Sequence, residues 1–310
     1  MKRMWLVTIA FVVAVRLCAA DGRPVTTRMR NVIFNLGHGI SLRVDEISGQ
    51  LVSTSPEKPP VFDDVSAYAV SIESGRTSMS PESLTNLMNN YVFAYADAPL
   101  KNLRITIEGN ELRQSGTLKK GIGVPFDMRA TIAASPDGRI VIHPVSMKAA
   151  GFVPKGVLDF FGLELERLIT LKQTPAVKIV DDDFILDPER ILPPPRIRGT
   201  LTRAWIENGA VFQQFGPAGE RPRLAPSDAR VKNYMYYRGG VLKFGKLTME
   251  DTDLLLVDAN QKDPFDFSPA EYNRQLVAGY SKNTPSHGLV VYMPDLSELN
   301  ARKPRNRVIE

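Results

Sequence analysis

The chain has 310 residues, of which 43% are hydrophobic, 24% charged and 8% aromatic, a globular composition that excludes disordered, collagenous and polytopic membrane classes. One cysteine and three histidines exclude a disulfide scaffold and a Cys-rich zinc site, and they leave little material for histidine chemistry. The net charge of +5 comes from 39 Lys and Arg against 34 Asp and Glu.

Residues 1–20 follow the grammar of a secretory signal: Lys2 and Arg3, an apolar run from Trp5 to Val15, then small residues at Ala19 and Ala20. The run is about half of the roughly 20 residues that a spanning helix needs. A cleaved signal and a periplasmic or secreted location are therefore expected. Cleavage after Ala20 removes Cys18, three basic residues and no acid; 36 basic and 34 acidic residues then remain, a net charge of +2. So small an excess makes no case for phosphate neutralisation, and no nucleic-acid partner is expected.

Val32, Phe34 and Leu36 alternate with polar neighbours, and Ile40, Leu42 and Val44 do the same after Gly37-His38-Gly39, which predicts an antiparallel hairpin with one dry face. A Pro-rich stretch through Pro56, Pro59 and Pro60 separates it from a strand over Ala67 to Ser78. Ser80 as N-cap, Pro81 at the first helical position and Glu82 in the first turn announce a helix. Its apolar stripe is Leu84, Leu87, Met88, Tyr91, Val92 and Tyr95.

After Pro99 comes a long β tract. Leu103, Ile105 and Ile107 alternate, Glu111 to Leu118 returns, Val124 to Ala134 follows, and Pro136-Asp137-Gly138 turns the chain into Arg139 to Lys148. Strands of about ten residues lie at the upper end of the usual range and imply a tall sheet. Phe152, Leu158, Phe160, Phe161 and their neighbours up to Leu171 then crowd together more apolar surface than one helical stripe needs, so protein or lipid must enclose them. Asp181-Asp182-Asp183 reads as a turn, because consecutive strand residues point to opposite faces and converge poorly on one ion. Strands over Ile197 to Glu207 and Ala210 to Phe215 complete the region.

Pro217 to Lys232 reads as a linker or surface loop. Tyr234 to Tyr237 and Val241 to Met249 flank Gly239-Gly240 as a hairpin, and Asp253 to Asp258 forms a strand. Ser268 and Pro269 start a helix through Tyr280, and Leu289 to Met293 is a closing strand. The expected division is a signal peptide over 1–20, a β-rich domain over 21–216, a loop over 217–232, a C-terminal α/β region over 233–297 and a basic tail over 298–310. The pattern leaves open whether the C-terminal region is a separate domain or further strands of one sheet.

No nucleophile elbow, Walker loop, Rossmann fingerprint, zinc pair or catalytic carboxylate pair occurs in its proper context. Gly121-Ile122-Gly123 lacks the third glycine and the helix that a dinucleotide site needs. His143 sits in a strand and Glu164 and Glu166 on a helix-like stretch; these are the candidates an envelope hydrolase would have to use. The expectation is no catalytic residue, no metal and no cofactor.

The helix opening Ser80-Pro81-Glu82-Ser83-Leu84, the block Leu103-Arg104-Ile105-Thr106-Ile107-Glu108-Gly109 and the run Gly138 to Met147 leading into the apolar stretch resemble bacterial phospholipid-binding proteins of the LmeA type. These are similar in turn to the tubular lipid-binding group that includes bactericidal/permeability-increasing protein. The resemblance covers roughly Asn31 to Gly216. It implies an α+β fold, with a long twisted antiparallel sheet packed around one or two helices and an apolar groove for acyl chains, beside the smaller C-terminal α/β region.

That resemblance gives the periodic apolar residues a second role. Leu84, Leu87, Met88, Tyr91, Met128, Phe152, Leu158, Phe160 and Phe161 are the expected lipid-binding residues. The expected function is a noncatalytic exported protein that binds a phospholipid or similar amphiphile, for transport or retention in the cell envelope, with peripheral membrane contact. The alternative is an envelope structural or adaptor protein whose partner surface is the Tyr234-Tyr236-Tyr237 region, tyrosine being favoured at interfaces.

Overall fold

The computed structural model describes residues 24–55, 57–120, 122–149, 170–171, 174–175, 177–219, 224–286 and 288–301. Strands β1 (Val25–Gly37) and β2 (Ile40–Ser53) form the expected hairpin, with Gly37, His38 and Gly39 all at positive φ in the turn. The dry face is made by cross-strand pairs such as Val32 with Val44 and Phe34 with Leu42, every member buried. β3 (Tyr68–Met79) pairs antiparallel with β2 and leads into helix α1 (Pro81–Leu87).

Four long strands then run as an antiparallel meander: β4 (Leu100–Glu108), β5 (Glu111–Lys120), β6 (Ile122–Ala134) and β7 (Ile140–Ala149). The two-residue strands β8 (Thr170–Leu171) and β9 (Thr174–Pro175) pair with each other. β10 (Val177–Val180) and β11 (Asp183–Leu186) add to the meander beside β7, giving a six-stranded sheet in the order β10-β11-β7-β6-β5-β4. Asp181 and Asp182 both have positive φ and join Val180 to Asp183 as a two-residue loop, so this acidic run is a tight turn.

The chain then returns to the first sheet. β12 (Arg196–Arg198) lies parallel to β3, and the hairpin β13 (Leu201–Glu207) with β14 (Ala210–Phe215) places β14 antiparallel along the rest of the same β3 edge. The C-terminal residues extend this sheet from its other side. β15 (Tyr234–Arg238) pairs with β1, a separate small hairpin forms from β16 (Val241–Phe244) and β17 (Leu247–Glu250), and β18 (Asp253–Asp258) pairs with β15. β19 (Phe265–Phe267) lies parallel to β1, while β20 (Tyr280–Asn283) and β21 (Leu289–Met293) finish the edge. The eleven-stranded sheet runs β13-β14-β3-β2-β1-β15-β18-β21-β20, with β12 and β19 beside it. The fold is α+β and dominated by antiparallel pairing, and residues 234–293 supply strands of the same sheet that β1 begins.

One end of this sheet is closed by aromatic packing. The Phe62 ring meets those of Tyr237, Phe244 and Tyr272 at 5.2–5.6 Å between centroids, and the Tyr272 hydroxyl donates to Asp63 Oδ1 at 2.5 Å. Phe62 is 1% exposed, a burial that contributes about 1.5–3 kcal/mol.

Several expectations are corrected. Val241 to Met249 is itself the β16–β17 hairpin, and β15 pairs with β1 and β18 instead of with it. Ile197 to Glu207 is broken at Gly199, between β12 and β13. The C-terminal helix starts at Tyr272, with Glu271 at its N-cap making no side-chain cap bond, so Ser268 and Pro269 do not open it. Helix α1 widens into a π-helical turn over Met88–Val92, closed by Phe93 N–H on the Met88 carbonyl. The wider turn rotates the succeeding residues off the 3.6-residue stripe; Tyr95 lies beyond it and is 43% exposed.

Candidate functional site

Helix α1 stands where the two sheets face each other, and its polar residues fix it there. Ser80 Oγ accepts the Ser83 N–H at 3.1 Å as N-cap, and Ser83 Oγ is 3.0 Å from Ser41 Oγ on β2. Asn86 and Asn90 donate to the carbonyls of Gly39 and His38 in the β1–β2 turn, at 2.8 and 3.0 Å.

On the side facing β4, Thr85 Oγ1 accepts the Ile105 N–H at 3.0 Å, while Asn89 accepts the Leu103 N–H at 3.0 Å and donates to its carbonyl at 2.7 Å. β4 is the edge strand of its sheet, so these backbone groups have no ladder partner on that side. The match is geometric: one helical turn of four residues rises about 6 Å and two strand residues span about 6.7 Å. The helix thus closes the β4 edge with side chains in place of a neighbouring strand. A register shift between Lys101 and Arg104, with Asn102 at positive φ, turns the Leu103 backbone toward Asn89.

The adjoining stripe of α1 lines an apolar cavity. Leu84, Leu87 and Met88 form its end; Met79 on β3 with Val211 and Gln213 on β14 form one wall. The facing wall is the inner face of the small sheet, from Ile105 on β4 through Leu112 and Gln114 on β5, Met128, Ala130 and Ile132 on β6 and Ile140 and Ile142 on β7 to Leu186 on β11. The residues within each strand are spaced by two, as one face of a strand requires. Pro188, Ile191 and Leu192 complete the lining, around the short helix Pro188–Ile191, whose N-cap Asp187 accepts the Glu189 N–H.

The cavity has a volume of about 60 Å³, within a space between the walls of about 740 Å³ that includes the part open to solvent. The smaller volume is less than half of the roughly 150 Å³ that accepts a benzene in an engineered core. Met79, Met88 and Met128, the most adaptable of apolar side chains, are among the residues lining the cavity. None of the lining residues carries a charge.

Of the residues singled out in the sequence, Leu84, Leu87, Met88 and Met128 therefore come together at this cavity, while Tyr91 is half-buried and packs against the adjoining core. Phe152, Leu158, Phe160, Phe161, Glu164 and Glu166 lie outside the described residues. Apart from Met128, the inner strand positions from Met79 to Leu186 are not among the residues expected from the sequence, although their period-two spacing is visible there; Gln213 carries no apolar signal at all.

The Tyr234-Tyr236-Tyr237 segment is not a surface. All three are buried in β15, between β1 and β18, and Tyr236 donates to Asp253 Oδ1 at 2.9 Å. His143 meets Asp183 Oδ1 through Nδ1 at 2.6 Å. That pair is on the solvent face of β7, opposite the face on which Ile140 and Ile142 line the cavity. Among the described residues no group of His, Cys, Asp or Glu is arranged to hold a metal ion.

Two carboxyls elsewhere are perturbed by burial. Asp258 accepts from Asn233 Nδ2 and the Asn260 N–H, Asp295 accepts from the Asp266 N–H, and desolvation pushes their pKa values up to about 6 and about 7. They cap loops at the β18–β21 end of the large sheet. No family model matches the chain, and neither does a curated protein or a solved structure.

Proposed function

We propose that this chain binds a long-chain amphiphile, such as a phospholipid, with its hydrocarbon in the cavity between α1 and the two sheets. The reading is of a noncatalytic exported protein that carries or retains the molecule in the cell envelope. It rests on one observation: a space walled by apolar side chains from both sheets and a helix, with no charge among them. Each methylene moved from water into such a site contributes about 0.8 kcal/mol, so affinity needs no ionic contact. The lack of lining charge also favours hydrocarbon over a buried headgroup, which would be desolvated without compensation. Three of the lining side chains are methionines, which change rotamer to fit a ligand at less cost than branched side chains do. A charged headgroup stays at the solvent-open side, where peripheral contact with a membrane would hand the molecule over.

The test is a substitution that occupies the free volume. Ala130 is 1% exposed and lines the cavity, so Ala130→Leu projects a branched chain into it. In displacement of N-phenyl-1-naphthylamine by lysophosphatidylcholine, the variant should lose at least tenfold in affinity while its circular dichroism spectrum stays that of the parent. Unchanged affinity in a folded variant would remove the cavity as the binding site.

A further inference from the structure

The cavity is interrupted by two polar side chains, Gln213 on β14 and Gln114 on β5, one on each facing wall. Gln213 is only 6% exposed, and neither amide has a side-chain hydrogen-bond partner among the described residues. Thr77, directly opposite Gln213 in the β3–β14 ladder, is fully buried, and its Oγ1 also has no partner. Residues directly opposed in an antiparallel ladder share a face, so the hydroxyl and the amide are neighbours. On its other side Gln213 pairs with Ala204, which offers nothing.

The alternation of β14 gives the position no reason to be polar. Val211 and Phe215, two residues to either side on the same face, are each 1% exposed and apolar. The Thr77 hydroxyl beside Gln213 is buried without a hydrogen bond, which is destabilising in an empty cavity, and native proteins rarely keep such a group without use. We infer that Gln213, with Thr77 beside it and Gln114 across the cavity, recognises an uncharged hydrogen-bonding group carried on the ligand's chain: a hydroxyl, an ester carbonyl or an amide.

This deepens the amphiphile reading and rests on it. Carboxamide and hydroxyl together offer both donors and acceptors, so they satisfy a group that accepts, donates or does both. A carboxylate or phosphate brought to the same point would be buried with no counter-charge among the lining residues. The ligand class is therefore a chain joined through an ester, amide or alcohol, and a free fatty acid in its ionised form is disfavoured.

Dodecane, 1-dodecanol and laurate at pH 8 separate the possibilities when each displaces N-phenyl-1-naphthylamine from the parent chain and from Gln213→Leu. The parent should bind dodecanol and reject laurate. In the variant the ratio of dissociation constants, dodecanol over dodecane, should rise by about 3- to 10-fold, the range of one net hydrogen bond, with dodecane binding kept. The unliganded variant should melt at or above the temperature of the parent, because the substitution replaces a polar side chain on an otherwise apolar face. Should the ratio stay the same in both proteins while dodecane binds, or the variant melt well below the parent, Gln213 is not a recognition point. If neither protein binds any of the three, the amphiphile reading falls together with this one.

Discussion

Asn89→Leu is the sharpest perturbation of the way α1 closes the β4 edge. The leucine keeps roughly the shape of asparagine and removes both bonds to Leu103, at 2.7 and 3.0 Å. Leu103 is 3% exposed, so water cannot readily replace the lost partner, and its N–H and carbonyl are both left unpaired. Each unsatisfied buried group costs about 1–3 kcal/mol, which places the loss at about 2–6 kcal/mol. Asn90→Leu is the control: that residue is exposed and makes a bond to the turn carbonyl of His38, so its loss should be under about 1 kcal/mol. Urea denaturation followed by circular dichroism should give a lower midpoint for Asn89→Leu with an unchanged slope, and a midpoint near the parent for Asn90→Leu. Equal midpoints for the two variants would refute the idea that helix side chains substitute for a neighbouring strand.

Three further outcomes are expected. Gly75 has φ +148°, and a Cβ there would lie 2.3 Å from the Glu46 carbonyl oxygen, so Gly75→Ala should cost more than about 1 kcal/mol in the same assay. Leu87→Ala removes a 2% exposed side chain from the end of the cavity and should cost about 2–5 kcal/mol, and in calorimetry the enlarged space should admit benzene more readily than the parent does. Asp295 has its folded pKa raised by burial above the unfolded value of 3.8 to about 7, so the folded state holds the proton longer. The stability this group contributes is complete below about pH 4 and is lost as pH rises to about 7. Asp295→Asn should therefore match the parent near pH 4 and exceed it at pH 8, by an amount on the order of 2–4 kcal/mol; a difference that does not grow with pH contradicts the assignment.

The parts of the fold that are legible are those written in local periodicity. The alternation of Val32-Phe34 against Leu42-Val44 marks the first hairpin, Ser80-Pro81-Glu82 marks the start of α1, and paired acids in a two-residue loop mark the β10–β11 turn. The stripe Leu84-Leu87-Met88 is visible for the same reason, and it faces the cavity. The features that are not legible depend on contacts between distant residues. Phe62 follows a Pro-rich stretch that signals only a loop, yet its ring fills the aromatic core because residues from β15, β16 and β19 close over it. The parallel pairings of β12 with β3 and of β18 with β21 leave no mark in either segment alone. The widening of α1 over Met88–Val92 likewise carries no breaker residue to announce it, and so a regular helical stripe places Tyr95 on a face it does not share. Gln213 escapes hydrophobic pattern reading, which looks for apolar residues, because its meaning comes from being polar where Val211 and Phe215 are not.

Amphiphile binding is tested most directly by native mass spectrometry of the chain purified from its host without detergent, followed by organic extraction and identification of the released species. The account predicts a bound species near one per chain, bearing a hydrocarbon chain on an ester, amide or alcohol. A mass equal to that of the polypeptide, unchanged after incubation with vesicles of envelope phospholipid, would contradict it.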